Sequence, residues 1–497
     1  MSLSQQLPAL QIVVPLMCAP LCILFRDARI SWWIAFVTNL ICTLIAMSLV
    51  AQTADGSTIR YALGGWAAPS GIEYYIDIVN AALLLVVSGI SLFVTVYARE
   101  GATKEVAHDR QYLFYAAWLL CLTGLLGIVI TGDAFNAFVF LEISSLSTYM
   151  LISIGRERNA LTAAFRYLII GSIGASFILL GVGFLYAATG TLNMVDLAER
   201  LPQAESTRTV LIAFTFLTVG LMIKAAIFPL HAWLANAYNY APITVTAFLS
   251  GTATKVSLYL LLRFFFHVFG GDYSFGEMLL NFVLLPAAVL GFVTMSLVAV
   301  FQTDLRRMLA YSSVAQIGYI VAGICMVSPL GVGAGFVHII NHAMIKAALF
   351  MAAGCIFYRL GHAHIPSFAG LVRKMPLTVA AFAISGLSLI GVPLTAGFIS
   401  KFNLVAAAIE RGWWLVVAMI LFSSICATIY IGRTFEVMVF RQSRDPAVEP
   451  GGMHEAPWLM LIPMWTLIGL SVVLGIFGNN TLAIAMTAAE KLLGGVM

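Results

Sequence analysis

The sequence is poor in charged residues, and this deficit excludes most classes of soluble protein. Only 10% of its 497 residues are Asp, Glu, Lys or Arg, and 61% are hydrophobic. A typical soluble domain carries about 25% charged residues. The net charge of +4 is small and gives no reason to expect a nucleic-acid partner. A chain of this composition is an integral membrane protein.

Cysteine is also scarce, and its spacing excludes most cysteine chemistry. The seven cysteines all lie in apolar segments, and none belongs to a CxxC pair. We interpret them as small buried hydrophobic residues, not as disulfides or metal ligands. HExxH, GxSxG and paired catalytic carboxylates are absent from the apolar segments, so an intramembrane enzyme is disfavoured. We therefore expect no catalytic residues, no metal site and no cofactor.

Apolar runs long enough to cross a bilayer fill almost the whole chain. We count fourteen, each of about 20 residues or more. Their approximate cores are 8–25, 31–51, 74–98, 111–131, 134–154, 161–188, 209–239, 242–267, 277–301, 307–327, 330–358, 376–408, 413–440 and 457–478. Most loops are short, which predicts one compact all-α bundle in the lipid bilayer. The polar run 441–456 is the expected exposed and mobile loop.

The basic residues predict the orientation of the bundle. Fifteen lie in loops after odd-numbered spans and six on the opposite side. Because basic loops stay in the cytoplasm, both termini should lie outside it, and we expect the plasma membrane of a bacterium. Arg166 lies near a helix end, from which it can snorkel. Four lysines lie too deep for that: Lys224, Lys255, Lys346 and Lys401.

Two of the predicted spans contain a helix break. Pro229 interrupts the seventh span after Lys224, and Pro393 interrupts the twelfth span before Lys401. An offset of five spans inverts the orientation, so we predict two inverted five-helix repeats, each with a broken helix. The predicted parts are 1–110 (helices 1–3), 111–267 (first repeat, helices 4–8), 277–440 (second repeat, helices 9–13) and 441–497 (exposed loop and helix 14).

The buried charges indicate the movement of ions or protons. A lysine at the centre of a membrane helix costs about 2.5–3.5 kcal/mol, so four of them indicate a use. Glu142, in VFLEISSLSTYML, is the most deeply placed carboxylate. It is either a structural ion-pair partner or the group that holds Lys224 charged and releases it on separation. Making and breaking such a pair moves protons, because pairing and burial favour opposite protonation states.

Three more ionisable residues lie on one helix face, at i, i+4 and i+8: His338, His342 and Lys346. A metal site is disfavoured because no carboxylate or cysteine lies nearby. Structural histidines remain an alternative. We favour a protonatable relay, since histidine titrates near neutral pH.

Two polar residues have accessory roles in this interpretation. His231, just after Pro229, is expected to cap backbone exposed by the break, with proton transfer as the alternative. Thr254 is one of several hydroxyls beside Lys255 that could line a hydrated path.

Five ordered motifs carry a resemblance to a known family. They are PLHAWLANAYNYAP (229–242), SGTATKVSLYLLLR (250–263), DLRRMLAYSSVAQIGY (304–319), HIINHAMIKAALF (338–350) and PLTAGFISKF (393–402). Together they resemble the proton-conducting antiporter subunit superfamily. That family includes Mrp-type cation/proton antiporter subunits and the large membrane subunits of respiratory complex I and membrane-bound hydrogenases. GGWAAPSGIEYYID (64–77) and Tyr238 are most similar to the D type of Mrp subunits.

The resemblance implies a fold, a function and roles for single residues. It implies fourteen helices within a larger membrane complex, a gating pair of Glu142 and Lys224, and a series of relay residues: Lys255, His338, His342 and the terminal Lys401. Ala235 and Asn236 depart from the family pattern, which puts the local shape of the second half-helix in doubt.

The implied function is a proton-translocating subunit of a multisubunit monovalent cation (Na⁺)/H⁺ antiporter, which is a secondary transporter and not an enzyme. The alternative is a proton-pumping subunit of a complex I or hydrogenase type complex, in which the chain would belong to a redox-driven enzyme. An accessory subunit for uptake of inorganic carbon or another ion also remains open, and a structural scaffold is disfavoured by the cost of the buried charges.

Overall fold

The computed structural model describes residues 3–204, 207–442 and 454–494 and is almost entirely helical. Most of the loop expected to be exposed, 443–453, lies outside the described residues. The helices are α1 (Leu3–Phe25), α2 (Ala28–Thr53), α3 (Ile78–Glu105), α4 (Gln111–Ile130), α5 (Ala134–Ser153), α6 (Arg158–Thr189), α7 (Met194–Arg200), α8 (Thr207–Lys224), α9 (Ala232–Tyr240), α10 (Ile243–Gly251), α11 (Ala253–Leu262), α12 (Asn281–Val300), α13 (Leu305–Cys325), α14 (Pro329–Leu360), α15 (Pro376–Ile390), α16 (Ala396–Glu410), α17 (Trp414–Phe440), α18 (Trp458–Ile476) and α19 (Gly478–Leu493).

Fourteen membrane spans account for most of the helices in the described ranges. Within the described ranges, thirteen helical segments are long and apolar enough to cross a membrane. The halves α15 and α16, of 15 residues each, together form one broken span, the twelfth in chain order, which brings the total to fourteen. The most apolar windows of α13 and α14 are 94% buried, whereas that of α1 is 33% buried, so the core lies along α13 and α14.

The two halves of the bundle share the same helix caps, helix lengths and helix ends. An aspartate caps α5 and another caps α13. Each aspartate also forms an isolated β-bridge with a residue in the loop that follows the next long helix. Those long helices, α6 and α14, have 32 residues each and end at a left-handed glycine. Equivalent positions are 171 residues apart, from 133 to 304 and from 190 to 361. The predicted all-α membrane fold with two inverted repeats, each containing a broken helix, is confirmed.

The third span begins later than predicted. The sequence pattern places its start at residue 74, but a short antiparallel hairpin, β1 (Ile59–Ala62) and β2 (Glu73–Ile76), precedes it. The helix starts only after Asp77, whose carboxylate accepts hydrogen bonds from the amides of Val79 at 3.0 Å and Asn80 at 3.1 Å. An N-cap of this kind fixes the first turn of a helix.

Two further helical features were not predicted. The eighth span is interrupted at Thr252 (φ −124°, ψ −62°), which divides it into α10 and α11. After the last span, α19 begins at Gly478 and packs against the start of α14, where Met486 lies next to Gly333. The apolar pattern misses both, because Thr252 is no recognised helix breaker and α19 is too short to span a membrane.

Candidate functional site

The first broken helix ends at a buried ion pair. α8 terminates at Lys224, whose Nζ lies 3.5 Å from Oε1 of Glu142 and donates a hydrogen bond to Oγ of Ser145 at 2.9 Å. The Lys224 side chain is 3% exposed and that of Glu142 is 29% exposed. The lysine is therefore enclosed by protein, whereas the Glu142 side chain is partly exposed although its Oε1 is buried.

The turn between α8 and α9 surrounds Pro229. α8 ends five residues before Pro229, and Ala226 in the turn has a left-handed backbone conformation (φ +55°). The indole Nε1 of Trp233 donates to the carbonyl of Ile223 at 3.0 Å, which fastens α9 to the end of α8. The break predicted from Pro229 is present, and polar backbone groups lie next to the ion pair.

The role predicted for His231, capping backbone exposed by the break, stays a prediction, and its side chain does not cap α9. It precedes α9 at the N-cap position, but its side chain makes no capping hydrogen bond and its backbone is already helical (φ −92°, ψ −4°). A capping side chain usually requires an extended backbone at that position. The ring stacks instead on Phe228, with centroids 5.3 Å apart, and its Nδ1 is buried without a partner in the described part of the chain.

The interruption at Thr252 lies beside the second lysine. Lys255 is completely buried, and its Nζ donates to the carbonyl of Ser250 and approaches Oγ1 of Thr254 at 3.4 Å. α10 ends one residue after Ser250, so this carbonyl belongs to the end of a helix. Thr254 thus lies where the sequence placed it, next to the lysine.

The predicted stripe on α14 is buried along its whole length. Nδ1 of His338 lies 2.8 Å from Oγ of Ser400, and its Nε2 lies 2.9 Å from Oε1 of Gln316. The ring of His342 is 6.1 Å from that of His338, and neither of its nitrogens has a hydrogen-bond partner among the described residues. One more turn along, Lys346 is completely buried.

The second broken helix also brings a lysine to freed carbonyls. α15 ends at Ile390 and is followed by Gly391, which has φ +94°, a conformation that favours glycine. After Pro393 the chain resumes as α16, and Nζ of Lys401 turns back to the carbonyls of Leu389 at 2.8 Å and Ile390 at 3.1 Å. The predicted break at Pro393 is therefore present and is occupied by the ammonium group of Lys401.

The four lysines share one kind of environment. Each is at most 6% exposed. Lys255, Lys346 and Lys401 donate to backbone carbonyls, and within residues 3–204, 207–442 and 454–494 only Lys224 of the four has a carboxylate within 4.0 Å. Carbonyl oxygens can solvate an ammonium ion without neutralising it. The same described ranges contain no group of three or more His, Cys, Asp or Glu residues suited to hold a metal.

Several hydroxyl groups of the site were missed by sequence reasoning. Ser145, Ser312 and Ser400 contact Lys224, Lys346 and His338, with Oγ of Ser312 2.5 Å from the Lys346 Nζ. Ser145 lies one helical turn after Glu142, and Ser400 directly precedes Lys401. That proximity could have identified those two. Ser312 comes from a different helix from its partner, and no pattern in the sequence connects them.

A second buried ion pair was also missed. Arg263, which the loop count assigned to the exterior, is 5% exposed and pairs with Asp77, 186 residues earlier. Its Nε donates to the hydroxyl of Tyr259 at 2.7 Å, one turn beyond Lys255 on α11. Burial raises the pKa of Asp77, but the charge and hydrogen bond of Arg263 and the amide of Asn80 outweigh it and hold the pKa below its usual value. The pair joins the start of α3 to the end of α11.

Comparisons with known proteins place this arrangement in a family. The family described as "NADH:quinone oxidoreductase/Mrp antiporter, TM" matches residues 131–427, more than half of the chain. NADH-quinone oxidoreductase subunit N of Desulforudis audaxviator (strain MP104C) is 40% identical over 496 residues, covering 97% of this chain and 98% of that protein. The D-type subunit of the Na(+)/H(+) antiporter of Alkalihalophilus pseudofirmus is 30% identical over 451 residues, covering 90% and 89%.

A solved structure shows the same fold. A chain of the Mrp complex from Dietzia sp. DQ12-45-1b superposes with a TM-score of 0.90 at 27% identity, covering 99% of this chain and 98% of that one. The resemblance inferred from the five motifs is confirmed, and the chain is a membrane protein whose solved relative is part of a multisubunit complex. It belongs to the NADH:quinone oxidoreductase/Mrp antiporter transmembrane family.

Proposed function

We propose that this chain is the proton-translocating membrane subunit of a multisubunit monovalent cation (Na⁺)/H⁺ antiporter. The observation that carries the proposal is the Lys224–Glu142 contact of 3.5 Å at the end of a broken membrane helix. The proposed path consists of the buried ionisable groups in the order Glu142, Lys224, Lys255, His342, His338 and Lys401, with Lys346 beside the histidines and with breaks at Pro229 and Pro393.

Each step needs a group that can hold a proton and then release it. Glu142 stabilises the ammonium form of Lys224, and separating the two leaves a charge in a site that excludes water, which favours release of the proton. Carbonyls and hydroxyls around Lys255 and Lys401 solvate the charged form there. Movement of the pair is therefore the event that drives a proton inward.

The histidines connect the two halves of the bundle. In the proposed path, protons pass from Lys255 on the first repeat through His342 and His338 to Lys401 on the second. His338 reaches the helix of Lys401 through Ser400. A buried water at His342 would satisfy its two unpartnered nitrogens and provide a proton carrier between repeats.

Other membrane subunits are expected to cover part of the bundle. The Glu142 side chain is 29% exposed on a helix inside the membrane, and an ionisable side chain in contact with lipid is costly. A neighbouring subunit against this face would remove that cost. We propose the plasma membrane of a bacterium as the location, with both termini outside the cytoplasm as the distribution of basic residues predicts.

The second candidate is a proton-pumping subunit of a redox-driven complex. The relative at 40% identity carries the name of a quinone oxidoreductase subunit, and it is more similar to this chain than the antiporter subunit at 30%. The same proton path would serve both functions. Co-purified subunits separate the two: iron–sulfur and quinone-binding subunits favour the redox complex, and small membrane subunits alone favour the antiporter.

The proton path is tested by replacing its first pair. Lys224→Ala and Glu142→Gln, each in the intact complex reconstituted into proteoliposomes, should reduce cation-driven proton flux to background. Lys104→Ala removes an exposed lysine outside the path and should leave the flux unchanged. Subunit content, checked on gels, shows whether the complexes assemble. If both path variants assemble and retain the wild-type flux, the pair is structural.

A further inference from the structure

A polar cleft on the outside of the bundle takes no part in the proposed proton path. Three helices form it: α6 provides Thr162 and Arg166, α9 provides Asn236 and Tyr240, and α13 provides Arg307. Its volume is about 360 Å³, within the range of about 300–1,000 Å³ of ligand pockets. We call it the headgroup cleft, because its chemistry identifies what it would bind.

The cleft is lined by hydrogen-bond donors and carries uncompensated positive charge. No residue lining it is acidic, and within the described ranges neither Arg166 nor Arg307 has a carboxylate within 4.0 Å. The Nε of Arg307 is buried and has no hydrogen-bond partner in the same ranges. The carboxylate of the nearby Asp304 is engaged by the backbone amides of Arg306 and Arg307, at 2.9 and 3.1 Å. Two guanidinium groups that line one cavity, with no acidic side chain in its lining, form a site for a phosphate group.

The surroundings of Arg166 show that the cleft opens to the lipid phase. Leu161, Phe165 and Ile169, on the same surface of α6, are 61%, 60% and 46% exposed. On a membrane helix, such apolar exposure marks the surface that acyl chains cover. Arg166 lies eight residues after the start of α6, which is about 12 Å along the helix axis. Its side chain must therefore reach back toward the helix end, where the cleft lies.

We propose that the headgroup cleft binds the phosphate of an anionic phospholipid. The two arginines pair with the phosphate oxygens, and the amide of Asn236 and the hydroxyls of Thr162 and Tyr240 supply further donors. The acyl chains lie along the exposed apolar face of α6. Basic pockets between membrane helices are known to hold anionic headgroups in this way. Because Asn236 and Tyr240 belong to α9, the lipid contacts the second half of the broken helix.

The proposal is tested by lipid binding to the purified complex. Wild type and the double variant Arg166→Gln/Arg307→Gln are placed in nanodiscs containing phosphatidylglycerol and phosphatidylcholine, and bound lipid is quantified by native mass spectrometry. Wild type should retain phosphatidylglycerol selectively, and the double variant should lose roughly ten- to thirtyfold in apparent affinity. Arg29→Gln/Arg373→Gln removes the same charge from exposed positions outside the cleft and should retain wild-type binding.

Two additional measurements distinguish the sources of the phosphate and guard against misfolding. Inorganic phosphate at millimolar concentration should not displace the lipid, because it lacks the acyl chains. Arg166→Lys/Arg307→Lys keeps the charge but not the planar fork, and it should bind at an intermediate level while eluting as the wild-type complex does. Equal lipid retention in wild type and the Gln variant overturns the proposal. Displacement by inorganic phosphate, or loss of a partner subunit from the Gln variant with lipid retention unchanged, also overturns it in favour of a soluble anion or a protein contact.

Discussion

Replacing Asp77 by Asn is expected to lower the free energy of unfolding by about 3–5 kcal/mol, the usual cost of leaving a buried charge without its partner. Arg263 is 5% exposed and would keep only the hydroxyl of Tyr259 and its contacts with aromatic rings. Because these remaining contacts stabilise the guanidinium by about 1–2 kcal/mol, we expect the loss in the free energy of unfolding to lie near the lower end of this range. Asn preserves the cap of α3, because its side-chain oxygen can still accept from the backbone amides.

Matched variants separate the two roles of Asp77. Asp77→Ala removes the cap as well as the charge and should cost about 1 kcal/mol more than Asp77→Asn. Arg263→Gln should cost less, about 1.5–3 kcal/mol, since the carboxylate left behind is 17% exposed and remains bound to amides. The double variant Asp77→Asn/Arg263→Gln should cost less than the sum of the single variants, because both remove the same interaction.

Reversible unfolding of the chain in one detergent, followed by circular dichroism, measures these differences. Asp55→Asn changes an exposed aspartate outside the pair and should leave the free energy of unfolding within experimental error. Additive costs for the two single variants, or an Asp77→Asn protein as stable as wild type, would refute the reasoning.

The same pair predicts a pH dependence with a defined sign. Burial raises the pKa of Asp77, but Arg263 and the amide of Asn80 lower it further, so the folded-state pKa lies below the usual 3.8. A depressed pKa contributes stability that is fully present above the unfolded-state pKa and is lost as pH falls through the folded-state pKa. The stability difference between wild type and Asp77→Asn should therefore be constant from about pH 8 to pH 5 and should shrink below about pH 4.

The remaining predictions concern the broken helices. A Cβ added by Gly397→Ala would lie 1.8 Å from the carbonyl oxygen of Ser388, so α15 and α16 must separate; we expect destabilisation of at least about 1–3 kcal/mol and reduced proton flux, whereas Gly183→Ala, which has nothing within 4 Å, should behave as wild type. Pro229→Ala and Pro393→Ala, made separately, should lower proton flux and water access to the neighbouring lysines, because each restores an amide that can close the helix. Normal flux and access with straightened helices would show that the breaks serve packing alone.

Sequence reasoning predicted the parts of this protein that depend on local physical properties. A segment of about 20 apolar residues is a membrane span wherever it occurs, and a lysine inside it is costly whatever its neighbours are. The spans, the four buried lysines and the breaks at Pro229 and Pro393 follow from these two rules. The inverted repeat was predicted from the odd number of spans between the two breaks. The caps at Asp133 and Asp304 agree with it, because they are separated by the same number of residues as the glycines that end α6 and α14.

Other features could not be derived from the linear pattern. The contact between the rings of His231 and Phe228 depends on the fold of the turn and could not be predicted from the position of His231 after a break. The interruption at Thr252 directly follows Gly251, but a single glycine inside an apolar run is a weak signal for a break. Arg263 counted as a loop residue because nothing near it in the chain reveals its partner, Asp77.

The amino-acid sequence by itself thus determined that this chain lies in a membrane, how many times it crosses, and which ionisable groups it buries. The tertiary structure decided what those groups contact: Glu142 and Ser145 at Lys224, helix-end carbonyls at Lys255 and Lys401, and the arginines that meet in the headgroup cleft. The reason is physical. Transfer from water to lipid is a property of each segment, whereas a hydrogen bond or ion pair requires atoms from distant segments to lie within about 4 Å of each other.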